Sequence, residues 1–219
     1  MMKKKKIIYF GLMFLPLLIN LIALQFMPEK IPAHYDFDGH ITRWGSKYEA
    51  LIYPVFTILM GYFLLTMSKV ASKQEENGKN NEKVVLVTGI ALLIFFNCMN
   101  IFALYKYFNK IENLSSLSVS IYQLVFGLLG LFMIIIGNVM PKLRMNSIIG
   151  LRTPWSLKNE FTWKKSQHFG GISFILSGIV IIIISLFAKD FSCIVLSMIT
   201  LVLSTVIDTI YTYRISKKC

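Results

Sequence analysis

The chain has 219 residues, of which 55% are hydrophobic and 16% charged, and it carries a formal net charge of +12; its mean hydropathy is +0.62. Polar residues this scarce exclude a disordered chain and an ordinary water-soluble globule, and they point to a protein whose solvent is hydrocarbon. Cys98, Cys193 and Cys219 form neither an even framework nor a C-x-x-C pair, so neither disulfide nor thiol chemistry is indicated.

A helix needs about 20 apolar residues to cross roughly 30 Å of hydrocarbon, and six segments qualify. The first, Ile7–Met27, follows Lys3-Lys4-Lys5-Lys6; it is long for the apolar part of a secretory signal and no small-x-small cleavage pattern follows, so it reads as a retained span. The loop over 27–49 contains Pro32, which favours an extended approach, and Asp38-Gly39, a strong turn signal, so a tight hairpin-like turn is expected with Trp44 as an interfacial anchor. His34, Asp36 and His40 are of the types that ligate zinc, but their spacing fits no established motif, and a capped turn is the competing reading.

The second span is Ala50–Met67, with Pro54 in its first turn, where a missing N–H costs little. The Lys/Glu/Asn-rich stretch that follows, through 83, reads as a flexible solvated connection with no chemistry of its own. Val84–Tyr105 and Val119–Met140 are the third and fourth spans. Asn20, Asn97, Asn100, Gln123 and Asn138 lie within these runs and are expected to act as interhelical hydrogen-bonding glue.

The 141–168 loop is the richest polar segment. Gly150 permits a left-handed or close backbone turn, Pro154 forces Thr153 toward an extended geometry, and Thr153 is then placed to cap the next turn. Arg152 offers a planar fork for phosphate, carboxylate or helix-end carbonyls. Asn159-Glu160 reads as a helix start, and Trp155 and Trp163 are expected at the lipid boundary. The fifth and sixth spans are Phe169–Ala188 and Phe191–Ile210; Gly170, Gly171, Ser173, Ser177 and Gly178 give the fifth a smooth face for close packing. Asp208 lies near the end of the sixth and is expected to be an interfacial carboxylate paired with Arg152, Arg214 or a lysine.

These elements define an all-α integral membrane protein, a polytopic bundle of six helices. About 17 of the 23 Lys and Arg residues fall at the helix ends that share a side with the N-terminus, which predicts both termini in the cytoplasm and the 27–49 and 106–118 loops outside. Spread over four short segments, this charge suits anionic lipid and forms no continuous nucleic-acid face, so direct nucleic-acid binding is not expected.

Gly150-x-Arg152-Thr153-Pro154-Trp155-x-Leu157, continued by Glu160, Trp163, His168 and Gly170-Gly171, resembles the C-terminal signature of the SdpI family of bacterial membrane proteins. The outer loop, Ile31-Pro32-x-His34 through Gly39 to Trp44-Gly45-Ser46-Lys47, resembles the small membrane domain of unknown function, DUF1648, that often precedes it. Ser156 stands where the family pattern has Thr, and Asn159-Glu160-Phe161 replaces a more acidic, Ser-rich run. The resemblance divides the chain into a DUF1648-like region over 1–70, a flexible cytoplasmic connection over 71–83 and a four-helix SdpI-like region over 84–219.

The resemblance implies a multi-pass protein of the bacterial cytoplasmic membrane that confers immunity to a secreted, membrane-active peptide toxin and holds a cytoplasmic transcriptional repressor at the membrane. The candidate inner partner-binding residues are Asn146, Gly150, Arg152, Thr153, Pro154, Trp155, Trp163 and His168. On the outer loop, Pro32, His34, Asp38, Gly39 and Trp44 are the candidate toxin contacts. No catalytic residue, metal or cofactor is assigned. The alternatives are a small transporter or channel, which needs a polar path through the bundle, and a metal-dependent membrane enzyme, for which only His34/Asp36/His40 or Arg152/His168 offer chemistry.

Overall fold

The computed structural model describes residues 2–36, 38–74, 79–114, 117 and 119–218. Among these residues, six helices are long and apolar enough to cross a membrane: α1 (Met2–Ala23), α2 (Ile52–Lys73), α3 (Lys79–Phe108), α4 (Ile121–Val139), α5 (Glu160–Phe187) and α6 (Asp190–Ser216). The helical expectation holds, with one addition. The outer loop forms an antiparallel ribbon, β1 (Lys30–Tyr35) and β2 (Ile41–Ser46), in which Ile31 faces Gly45 and Pro32 faces Trp44.

Helix ends depart from the hydropathy spans where polar turns continue the helix beyond the hydrocarbon. α2 runs to Lys73 and α3 begins at Lys79, so the connection expected over 71–83 is shorter at both ends. α5 begins at Glu160 because the Asn159 side chain accepts from Thr162 N at 2.8 Å and satisfies an orphan donor of the first turn. α4 starts with a capping box in which Ser120 and Gln123 bond each other's backbone N–H. Gln123 thereby serves its own helix rather than joining two.

Of the remaining amides, Asn20, Asn97 and Asn100 act as expected. Pro16 lies inside α1 and has no N–H for the carbonyl of Leu12 four residues earlier. Asn97 of α3 supplies the missing donor, its Nδ2 lying 2.9 Å from Leu12 O. Asn20 donates to Asn100 Oδ1 at 2.9 Å, tying the same two helices together again. Asn138, by contrast, bonds Ile134 O of its own helix, at 2.9 Å.

The most extensive helix contact is α4 against α5. A Cβ on Gly137 would lie 2.5 Å from Gly171 O, and one on Gly130 2.6 Å from Gly178 O, so the two backbones approach as only glycine allows. Three apolar clusters lie within the bundle: Ala23, Met27, Ile31, Ala50 and Leu104 at the hairpin end, Tyr9, Met13, Leu86 and Leu93 midway, and Val84, Met140, Leu143 and Trp163 at the other end. Large apolar side chains such as Ile7, Leu59, Leu176 and Phe187 remain on the outer surface, as a bundle solvated by acyl chains requires.

Candidate functional site

After α4 the chain makes one 3₁₀ turn, Met140–Lys142, and then runs without regular structure to Asn159. Side-chain bonds hold this irregular backbone together. Asn146 is 5% exposed and uses its whole amide: Oδ1 accepts from Ile148 N and Ile149 N, both at 2.8 Å, while Nδ2 donates to Arg144 O at 2.8 Å and Ile149 O at 3.2 Å. Gly150 has φ +114°, and a Cβ there would lie 2.5 Å from the Gln167 Oε1. Only glycine lets the backbone reach that side chain. Gln167, fully buried on α5, then pairs with Leu151 as a strand would, accepting from its N–H and donating to its carbonyl, both at 2.9 Å.

Thr153 and Ser156 close the next turn reciprocally, each hydroxyl accepting from the other's backbone N–H at 3.0 and 2.8 Å. Thr153 therefore caps, as its place before Pro154 predicts. Its hydroxyl also donates to Thr212 Oγ1 of α6 at 3.0 Å, the Trp155 ring meets Tyr213 edge-on at 5.2 Å, and Lys158 Nζ donates to Ser216 O at 2.9 Å. On the opposite flank, Gln74 at the end of α2 bonds Ser147 N and Oγ, both at 2.6 Å, and Asn81 of α3 accepts from Arg144 N at 3.0 Å. Contacts with α2, α3, α5 and α6 thus fix the loop.

Two sequence expectations need correction. Trp163 is 1% exposed, not at a lipid boundary: its indole N–H donates to Leu143 O at 2.9 Å and its ring joins the apolar cluster beneath the loop. Asp208 is 1% exposed and has no ion pair among the described residues; the Ser173 hydroxyl lies against it in place of an arginine. Asn81, Gln167 and Ser156 carry structural weight the sequence did not reveal. A fully buried Asn at the edge of a Lys/Asn-rich stretch has no local signature.

The candidate inner residues divide into two groups. Asn146, Gly150, Thr153 and Trp163 build the loop. Arg152 and Pro154 are exposed and Trp155 is half-buried, and among the described residues the Arg152 side chain has no hydrogen-bond or ion-pair partner. His168 is exposed elsewhere, in a groove with Lys142, Arg144, Lys164 and Lys165 that Arg152 does not line.

At the far end of the bundle, the hairpin turn is closed by Asp36 Oδ1 accepting from His40 N at 2.8 Å, with Gly39 at φ +87°. The ribbon docks on the segment after α3: Ile41 N donates to Glu112 O, Leu114 N to Gly39 O, and Tyr35 Oη to Ile111 O. Burial pushes the Tyr35 phenol up to about 12, so it remains a donor. Arg43 grips Glu49 with two bonds, at 3.0 and 2.8 Å, and Ser46 and Glu49 form a capping box. His34 bonds Thr42 Oγ1, while the His40 ring faces Asn113 and lies 4.0 Å from Asp36 Oδ1; among the described residues the three do not form a group that could hold a metal ion. Pro32 is buried, and Asp38 and Trp44 are exposed. Trp44 lines an open groove of about 570 Å³ with Pro28, Glu29, Lys30, Lys110 and Glu112.

A six-span bundle with a docked outer ribbon at one end and this stapled Arg-Thr-Pro-Trp loop at the other defines a class of membrane protein. Residues 142–212 match the SdpI/YfhL protein family, and residues 11–58 match a domain of unknown function, DUF1648. The chain belongs to the SdpI/YfhL family and is a multi-pass protein of the cell membrane. It is similar to Immunity protein SdpI of Bacillus subtilis (strain 168), 32% identical over 222 residues, an alignment covering 98% of this chain and 97% of that protein. No solved structure matches it.

Proposed function

We propose that this protein confers immunity to a secreted, membrane-active peptide toxin. One observation carries the reading: similarity to an immunity protein runs along 98% of the chain, so it includes the outer ribbon and the inner loop as well as the apolar spans. The mechanism is stoichiometric binding without catalysis. The hairpin end faces outward, where the groove beside Trp44 offers an aromatic face and charges of both signs to an amphipathic peptide. The loop end faces the cytoplasm, where Arg152, Pro154 and Trp155 are the output that a transcriptional repressor meets. Arg152, exposed and without a side-chain partner among the described residues, favours this second role, because its guanidinium can bind a carboxylate in two-pronged fashion.

The test is survival of a toxin-sensitive bacterium expressing the chain, challenged with a panel of membrane-active peptides. Trp44→Ala is expected to lose protection, and Arg152→Ala to keep it while abolishing recruitment of the repressor to the membrane. No protection by the wild-type chain against any peptide rejects immunity; unchanged recruitment with Arg152→Ala rejects the output role.

A further inference from the structure

The groove that holds His168 lies apart from the Arg152 face and has a distinct chemistry. It has a volume of about 490 Å³ and is lined by Asn80 of α3, by Pro141, Lys142, Leu143 and Arg144 after α4, and by Lys164, Lys165 and His168 on α5. Four basic side chains and one imidazole therefore surround a single cavity, and among the described residues its lining includes no carboxylate. Among the described residues, none of the five side chains has an acidic partner within ion-pair distance; Glu82, on the same helix as Asn80, is held by Lys6 at 3.2 Å. Like charges gathered around a cavity repel, so the arrangement is stabilised by an anion that enters it.

The backbone around the groove is fixed. Arg144 N donates to the buried Asn81, Leu143 O accepts from the buried Trp163 indole, and Lys164 and Lys165 occupy adjacent positions in the second turn of α5. The cations thus project from two segments locked to each other, the end of α4 and the start of α5, unlike lysines on a mobile tail. The groove lies at the adjoining ends of the spans α4 and α5, and the exposed Pro141 gives it an apolar side.

We infer that the groove formed by Lys142, Arg144, Lys164, Lys165 and His168 is a binding site for a phosphate-bearing anion, supplied by the headgroup of an anionic glycerophospholipid. A phosphodiester offers oxygens to several Lys and Arg donors at once, and the attached glycerol and acyl chains continue along the apolar side into the bilayer. This site is independent of toxin recognition and of the repressor.

Native mass spectrometry of the purified, delipidated full chain tests it, with phosphatidylglycerol, phosphatidylcholine and inorganic phosphate added in separate arms. Phosphatidylglycerol is expected to be retained and phosphatidylcholine not. Arg144→Gln/Lys164→Gln is expected to weaken retention roughly 30-fold, since each cation near an anionic surface is worth about a factor of five. Arg144→Lys/Lys164→Arg should retain the lipid, which separates loss of charge from loss of fold. Lys217→Gln/Lys218→Gln, the same charge change outside the groove, should leave retention as in the wild type. Equal loss in both neutralised pairs, or none in either, overturns the site. Inorganic phosphate that binds alone and displaces phosphatidylglycerol overturns the lipid as the source of the anion.

Discussion

Asp208 shows how a single residue's setting limits what it does. A carboxyl near the end of a span is ordinarily met by a nearby arginine, and Arg214 is only about six residues, or roughly 9 Å of helix, away. The structure instead turns Asp208 into the seam between α5 and α6, where Ser173 and Ser204 hydroxyls lie 3.0 Å apart and one carboxyl oxygen has no partner among the described residues. A buried ionisable group without a counter-charge costs several kcal/mol when ionised, so a neutral isostere is the better tenant of this position. Asp208→Asn, which keeps the shape and the hydrogen-bonding capacity, is expected to melt at or above the wild-type temperature in detergent, whereas Asp208→Ala opens a polar void and melts lower. A loss for Asp208→Asn as large as that for Asp208→Ala would show that the ionised carboxylate itself is needed.

Between helices, the decisive feature is the repair of a proline. Pro16 removes one rung of α1, and in hydrocarbon no water can satisfy the Leu12 carbonyl it leaves behind. Asn97 reaches across from α3 to do so, and it also donates to Leu93 O at 2.7 Å within its own helix. Asn97→Leu is therefore expected to destabilise the bundle by about 1–2 kcal/mol. Pro16→Ala restores the α1 rung, so the loss from Asn97→Leu should shrink in that background. A thermal-unfolding double-mutant cycle measures this coupling, and strictly additive effects would show that Asn97 does not serve the Leu12 carbonyl. The sequence disclosed both residues without their relation, because hydropathy and spacing within a span do not say which helix lies opposite.

At the scale of the whole molecule, the six spans were legible because the bilayer imposes a length and a composition that one window can detect. The ribbon was legible only as its turn: Asp38-Gly39 marks a hairpin, but β1 and β2 hold their register by docking on Ile111, Glu112 and Leu114, about 75 residues away. The inner loop was legible in its turn chemistry at Gly150, Thr153 and Asn159, and illegible in its anchoring. Trp163 reads as an interfacial aromatic until the fold supplies the Leu143 carbonyl for its indole, and Cys219 lies outside the described residues. The fold also joins the charge asymmetry to particular ends. Lys6 pairs with Glu82, Gln74 with Ser147 and Lys158 with Ser216, so the start of α1, the α2–α3 connection, the signature loop and the end of α6 lie together, and they carry about 17 of the 23 basic residues. The ribbon end carries the other six. Positive-inside bias then predicts the ribbon outside and the loop within. In a background of Cys98→Ser, Cys193→Ser and Cys219→Ser, a cysteine introduced by Asp38→Cys is expected to react with a membrane-impermeant maleimide in intact cells, and one introduced by Lys218→Cys only after permeabilisation. The reverse pattern would put the Trp44 groove in the cytoplasm, where no secreted peptide meets it, and immunity would then have to act through the lipid-facing sides of the bundle.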